Sequence, residues 1–171
     1  TLTTTLDFYN QVVDFCRYHE IYILSDLAYA ELYFDNRPPP SILEVPGAKD
    51  IAVEFTSMSK TYSMPGWRIG FAAVNPRLIE SLARIKSYLD YGAFTPIQVA
   101  STTALNGPQE CVEEMRKLYR ERRDVLINSM SIAGWQIPSP TSTMFAWAPI
   151  PPDFLNLGSV GFSKLLLKEA K

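Results

Sequence analysis

The sequence predicts an α/β fold, and three observations carry that prediction. Apolar runs of strand length recur at 21–24, 51–55 and 68–74. Stretches whose apolar residues repeat at helical spacing flank them. The runs stop abruptly in polar residues, Ser25-Asp26 after the first and Ser57-Met58-Ser59-Lys60 after the second. Strands alternating with helices make a sheet with helices on its faces.

In chain order, Thr4-Thr5-Leu6-Asp7 has the pattern of a helix start, and Leu6, Val12, Val13, Phe15 and Cys16 continue at roughly helical spacing. Ile21-Tyr22-Ile23-Leu24 reads as a buried strand. Arg37-Pro38-Pro39-Pro40 is a loop, and runs 51–55 and 68–74 supply two more strands. Asn75-Pro76 is an N-cap with proline in the first helical position; Leu78, Ile79, Leu82, Ile85 and Leu89 then carry one apolar face to Gly92. Another helix covers 96–105. A longer one starts after Asn106-Gly107-Pro108, turns Val112, Met115, Leu118, Val125, Leu126 and Met130 inward, and stops near Gly134. Segments 135–137 and 144–147 read as strands, with Met144, Phe145 and Trp147 in the core, and an amphipathic helix occupies 162–171. The reading is α/β first, then an α+β region that forms a second, incomplete domain. With no initiating Met and an uncapped last helix, both ends look cut, and the chain is expected to be part of a longer protein.

Composition narrows the function classes. A chain of 171 residues, 47% hydrophobic and 20% charged, is globular and large enough for a core without disulfides. Sixteen basic residues against eighteen acidic give a net charge of −2 with no basic stripe, which argues against nucleic acid as a partner. No apolar run reaches the ~18–20 residues of a membrane span, and no signal-peptide pattern opens the chain. Cys16 and Cys111 stand alone in helical patterns, as reduced thiols of a cytoplasmic protein do. His19 is the sole histidine, which leaves little scope for His-based catalysis and no multi-His metal site.

The densest functional signal is Ser57-Met58-Ser59-Lys60-Thr61-Tyr62-Ser63-Met64-Pro65-Gly66-Trp67-Arg68-Ile69-Gly70. It follows a strand, where α/β sheets bind ligands. Ser57, Lys60 and Arg68 put a hydroxyl, an amine and a guanidinium in one loop. Hydroxyl with guanidinium suits a phosphate, and a lysine beside it can condense with an aldehyde as a Schiff base. Pyridoxal 5′-phosphate offers both groups. That cofactor also needs an acid at its ring nitrogen, and Asp26 at the end of the first strand is the candidate, with Tyr29 available to its phenolic oxygen.

At these residues the chain resembles a known family. Asp26-Leu27-Ala28-Tyr29, Ser57-Met58-Ser59-Lys60 and Gly66-Trp67-Arg68-Ile69-Gly70 look like the signature of the class I/II, fold-type I aminotransferases. The likeness continues through Ile85-Lys86-Ser87-Tyr88-Leu89-Asp90-Tyr91-Gly92 and Phe94-Thr95-Pro96-Ile97-Gln98, and is strongest to the alanine (glutamate–pyruvate) and LL-diaminopimelate types. The resemblance implies part of a three-layer α/β/α large domain with a mostly parallel sheet over 1–106. An inter-domain helix and a partial small α+β domain would follow over 107–171. It implies that Lys60 holds pyridoxal 5′-phosphate and moves the proton between Cα and C4′. Asp26 would pair with the pyridinium nitrogen, Tyr29 would contact O3′, and Ser57 and Arg68 would bind the phosphate. Ser59 has the lesser role of orienting the turn. The reaction implied is transfer of an amino group between a small amino acid, alanine preferred, and a 2-oxo acid such as 2-oxoglutarate, in a homodimer. LL-diaminopimelate or aspartate transamination, β-elimination, and a non-catalytic ligand-sensing domain of a regulator are the alternatives. The phosphate cradle and the Asn-Pro motif would lie upstream of Thr1 and the carboxylate-binding arginine downstream of Lys171, so this chain by itself is expected not to transaminate.

The remaining polar and aromatic groups have plainer readings. Arg120-Glu121-Arg122-Arg123-Asp124 reads as the solvated face of a long helix. His19 reads as a helix-end residue near the negative pole of the dipole. Tyr88, Tyr91 and Phe94 read as packing residues, although the resemblance places their stretch near an active site and a dimer contact.

Overall fold

The structure is a computed structural model that describes residues 3–34 and 36–170. Thr5 caps α1 (Leu6–Tyr18) by accepting a hydrogen bond from the N–H of Phe8. The helix ends at His19, with Glu20 in the left-handed region at φ 57° and the N–H of Ile21 donating to Cys16 O at 2.8 Å. That cap uses up Ile21, so β1 (Ile23–Asp26) starts two residues later than the apolar run does.

β2 (Ala52–Ser57) runs parallel to β1, with Ile23 opposite Ala52 and Asp26 opposite Phe55. β3 (Gly70–Ala73) runs antiparallel to β2, with Ser57 opposite Gly70, and the order is β1-β2-β3. The three described strands form the mixed sheet of an α/β fold, as expected, with β3 as its antiparallel member. Loop 58–69 turns the chain straight back, whereas a parallel return needs a long crossover. Among the described strands β1 pairs with β2 alone, and Leu24 is 74% exposed there while Ser25 is buried.

The core lies between α1 and the sheet, where Val13, Ile42, Val45, Ala48 and Ala52 pack together and Tyr9, Ile23 and Ile51 close over them. Ser41 holds the segment leading into it by a reciprocal cap with Glu44, and its hydroxyl donates to Glu54 of β2 at 2.8 Å. Asn75 caps α3 (Pro76–Leu89) through Leu78 N–H, and its amide also donates to Lys49 O at 2.7 Å. α4 (Thr95–Asn106), α5 (Glu110–Ile132) and α6 (Gly158–Ala170) follow. Gly134 ends α5 at φ 85°, with its own N–H on Ser131 O and that of Trp135 on Met130 O. Among the described residues no helix is long and apolar enough to cross a membrane.

Several expectations need correction. Segments 135–137 and 144–147 form no strands; the sole pairing there is an isolated bridge of Ser142 with Tyr33. Trp135 is spent on the α5 cap, and prolines at 138, 140 and 149 interrupt the row of donors a strand needs. Met144, Phe145 and Trp147 are accordingly exposed, as are Tyr88, Tyr91 and Phe94. Finally, α5 does not seat by an apolar stripe alone: Val112 is buried, but Leu118, Val125 and Leu126 are exposed. Arg123 breaks the solvated-face reading, with its side chain 11% exposed, over the Phe34 ring at 4.7 Å and donating to Pro140 O at 3.2 Å.

Gly70 sits where β3 crosses closest to β2, and a Cβ there would run into Thr56 O, while one on Gly66 would meet open space. Gly70→Ala is expected to destabilise the protein by about 2 kcal/mol and Gly66→Ala by under about 0.5 kcal/mol. Thermal unfolding of the two variants side by side checks this; equal melting temperatures would refute the close approach.

Candidate active site

The carboxyl ends of β1 and β2 lie side by side because the two strands are parallel and in register. Loop 58–69 leaves β2 there and is closed at its neck by the Ser57–Gly70 pair and by Met58 N–H donating to Ile69 O at 3.2 Å. Its first residues form the single turn α2 (Met58–Thr61). Ser57 Oγ caps that turn by accepting from Ser59 N–H at 3.1 Å, and Tyr62 N–H closes it on Met58 O at 3.1 Å. Ser59 is buried on that turn.

Lys60 is half-buried on this turn, with Nζ 5.8 Å from the centre of the Tyr29 ring. Among the described residues its amine has no hydrogen bond or ion pair. Asp26 ends β1; its Oδ1 accepts from Ala28 N–H at 3.0 Å, and Leu27 N–H donates to Phe55 O at 2.8 Å, which together fix the turn carrying Tyr29. The far edge of Tyr29 meets Phe145 at 5.4 Å and 71°. Asp26 and Tyr29 line one cavity of about 330 Å³ with Ser142 and Thr143. Arg68 lies beyond the neck in the left-handed region, φ 52°, and its guanidinium turns back to donate to Pro65 O at 3.0 Å.

The structure thus joins Lys60 to Tyr29, and Tyr29 to Asp26. Ser57 and Arg68 flank the loop's neck, each with donors to spare: the Ser57 hydroxyl proton and all but one of the Arg68 N–H groups. Ser142 and Thr143 carried no expectation in the sequence, and Phe145, expected in a core strand, lies against Tyr29 instead. Ser142 is 3% exposed, with no hydrogen-bond partner for Oγ among the described residues, and Thr143 has φ 67°, a strained value for a β-branched residue. Thr143 is held there by its N–H on Leu32 O at 2.6 Å. The flanking prolines 138 and 140 were the only cue that this stretch is a loop laid against the site.

Behind the Lys60 turn, Tyr62 donates to Gln109 Oε1 at 2.8 Å. Burial pushes the Tyr62 phenol above its ordinary value of 10.0, and the nearby Cys111 and Glu31 add to it.

The parallel carboxyl ends of β1 and β2 thus bring Asp26, Tyr29 and Lys60 to one edge of the sheet, with Ser57 and Arg68 at the two ends of the loop beside them. The description of class I and II aminotransferases matches residues 2–171, and the chain belongs to that family. It is 63% identical over 97% of its length to the AatC protein of Rhizobium meliloti (strain 1021). To the glutamate-pyruvate aminotransferase AlaC of Escherichia coli (strain K12) it is 48% identical over 97%, and to the LL-diaminopimelate aminotransferase of Moorella thermoacetica 42% over 96%. It spans 40% to 42% of the length of these three relatives. Among solved structures, a substrate-bound BacF from Bacillus subtilis matches 98% of the chain with a TM-score of 0.90 at 34% identity, the chain spanning 42% of BacF. An aminotransferase from Staphylococcus aureus matches 98% with a TM-score of 0.87 at 29% identity, the chain spanning 44% of it.

Proposed function

We propose that the complete protein carrying this chain is a pyridoxal 5′-phosphate-dependent aminotransferase exchanging an amino group between a small amino acid, alanine preferred, and a 2-oxo acid such as 2-oxoglutarate. The observation that carries this reading is the Lys60 amine, unpaired among the described residues, against Tyr29 and one strand away from the Asp26 carboxylate. The donor set fits the cofactor. An amine suits its aldehyde, a carboxylate its ring nitrogen, a phenol its ring oxygen, and a hydroxyl with a guanidinium its phosphate.

When bound, the cofactor supplies a ring that takes up electron density from the substrate's Cα. Lys60 holds it and then serves as the base that takes the proton from Cα. Asp26, whose Oδ1 is already oriented by Ala28 N–H, keeps a proton on the ring nitrogen through its charge. Tyr29, wedged between Lys60 and Phe145, orients the ring through its hydroxyl and excludes water from one side. Ser57 and Arg68 bind the phosphate across the neck of their loop. Residues 1–106 belong to the cofactor-binding large domain in this reading, and 107–171 to an inter-domain helix with the start of a small domain. The rest of the protein supplies the phosphate cradle and the arginine for the substrate carboxylate. The exposed Tyr88, Tyr91 and Phe94 face a second copy in a homodimer.

The relative named for glutamate-pyruvate transfer is 48% identical over 97% of the chain, against 42% over 96% and 47% over 87% for two named for LL-diaminopimelate, and this favours alanine. LL-diaminopimelate is the second reading on the same relatives.

Borohydride reduction of the holoprotein is expected to leave a pyridoxyl mass on the Lys60 peptide, and Lys60→Ala is expected to lose it. The adduct on another lysine would remove Lys60 from this role. In the full-length protein, alanine with 2-oxoglutarate is expected to turn over faster than LL-diaminopimelate, and Asp26→Asn to lose about 10²-fold of that turnover while retaining cofactor. Near-normal turnover by Asp26→Asn would defeat its assignment, and the opposite substrate order would move the protein to the second reading.

A further inference from the structure

Lys60 sits on a helix of a single turn, Met58–Thr61, which is too short to hold its own direction. Its N-terminal end is fixed by the Ser57 cap, and its C-terminal end is fixed from far along the chain. The Tyr62 hydroxyl meets Gln109, forty-seven positions later in sequence, at 2.8 Å. Gln109 Nε2 faces the carbonyls of Gly107 at 2.7 Å, Ala104 at 3.1 Å and Leu105 at 3.4 Å, where α4 ends and α5 begins. Three carbonyls can only accept, so the amide nitrogen must face them and Oε1 must face Tyr62. Tyr62 is therefore the donor, a role open only to the neutral phenol, and its burial favours that form.

A second tie runs in parallel. Arg116 of α5 donates to Glu31 O at 3.1 Å and to Glu31 Oε2 at 3.0 Å, two residues beyond Tyr29, and also pairs with Glu113. Tyr62, Gln109, Arg116 and Glu31 line one cavity of about 380 Å³. The helix joint thus grips the two turns that carry Lys60 and Tyr29.

We propose that Gln109 is a positioning residue for Lys60, acting through the Tyr62 hydroxyl so that the α4–α5 joint sets the direction of the lysine. This rests on the role given to Lys60 above. A shift of α5 against the sheet would then reach the lysine through one hydrogen bond, and losing that bond would change how the amine is aimed, not whether it binds.

The test uses the full-length protein loaded with pyridoxal 5′-phosphate, as wild type, Tyr62→Phe, Gln109→Leu and the double variant. Borohydride reduction should show the pyridoxyl mass on Lys60 in all four. The circular dichroism of the bound chromophore should fall to about half or less in each single variant, and kcat about five- to tenfold, with KM within about twofold. The double variant should be no worse than the worse single one, because both remove the same bond. Unchanged circular dichroism and kcat in Tyr62→Phe, or losses that multiply in the double variant, would overturn the proposal. If Gln109→Leu fails to fold, Tyr62→Phe, which deletes one oxygen atom, decides alone. A wild-type protein with no adduct on Lys60 would overturn the functional reading and this proposal with it; an adduct with unaffected variants overturns only the proposal.

Discussion

The register of β1 against β2 is the constraint on which the site depends. Asp26 stands opposite Phe55, so β1 ends two residues before β2 does, and both carboxyl ends open on one edge. Side chains alternate along a strand, and a slip of one residue would send Asp26 to the other face of the sheet. The register is held from both sides: Ile23 N–H donates to Ile51 O at 2.8 Å before the ladder and Leu27 N–H to Phe55 O at 2.8 Å after it. The buried cluster of Val13, Ala48 and Ala52 penalises a slip in the same direction. Core packing and site geometry are one requirement here.

The parts of this arrangement that were legible in the sequence are those decided within a few residues. Asn75-Pro76 caps a helix whatever surrounds it, and Gly134 supplies the positive φ that ends another. The polar break after 51–55 located the loop of Lys60, because Ser57 at the end of β2 is a ready cap for the turn that follows. What escaped was decided by distant partners. Ile21 looks like strand until α1 claims its N–H, and 144–147 looks like strand until prolines and the Thr143 bond to Leu32 pin it as a loop against Tyr29. Arg123 carries a charge, so its pattern reads as surface, yet its guanidinium covers the Phe34 ring. Gln109 offered no local sign beyond standing after Gly107-Pro108.

The two arginines of α5 show why an apolar count misjudged that helix. Arg116 lies over the Tyr33 ring at 4.0 Å and Arg123 over Phe34 at 4.7 Å, one on each side of the same turn-rich segment. A guanidinium stacks flat on an aromatic face and keeps its edge free for carbonyls, which Leu or Val cannot do. Segment 29–34 has backbone carbonyls unclaimed by any strand, and Glu31 O is satisfied by Arg116. An apolar stripe would have buried that carbonyl without a partner, at a cost of about 1–3 kcal/mol. Arginine is thus the packing residue this interface requires.

The same logic applies to what is kept apart. Lys60 and Asp26 carry opposite charges on neighbouring strand ends, and a direct ion pair between them would be the easiest contact to form. The structure avoids it. Asp26 is turned toward Ala28 N–H, and the Tyr29 ring stands on the Lys60 side, where it meets the ammonium with its face rather than with a carboxylate. A cation over a ring gains about 0.5–1 kcal/mol when exposed, enough to favour one position but little enough to be given up. Among the described residues, holding Lys60 by an aromatic face therefore leaves its amine free to change partners, and leaves the Asp26 carboxylate uncommitted on its outer oxygen.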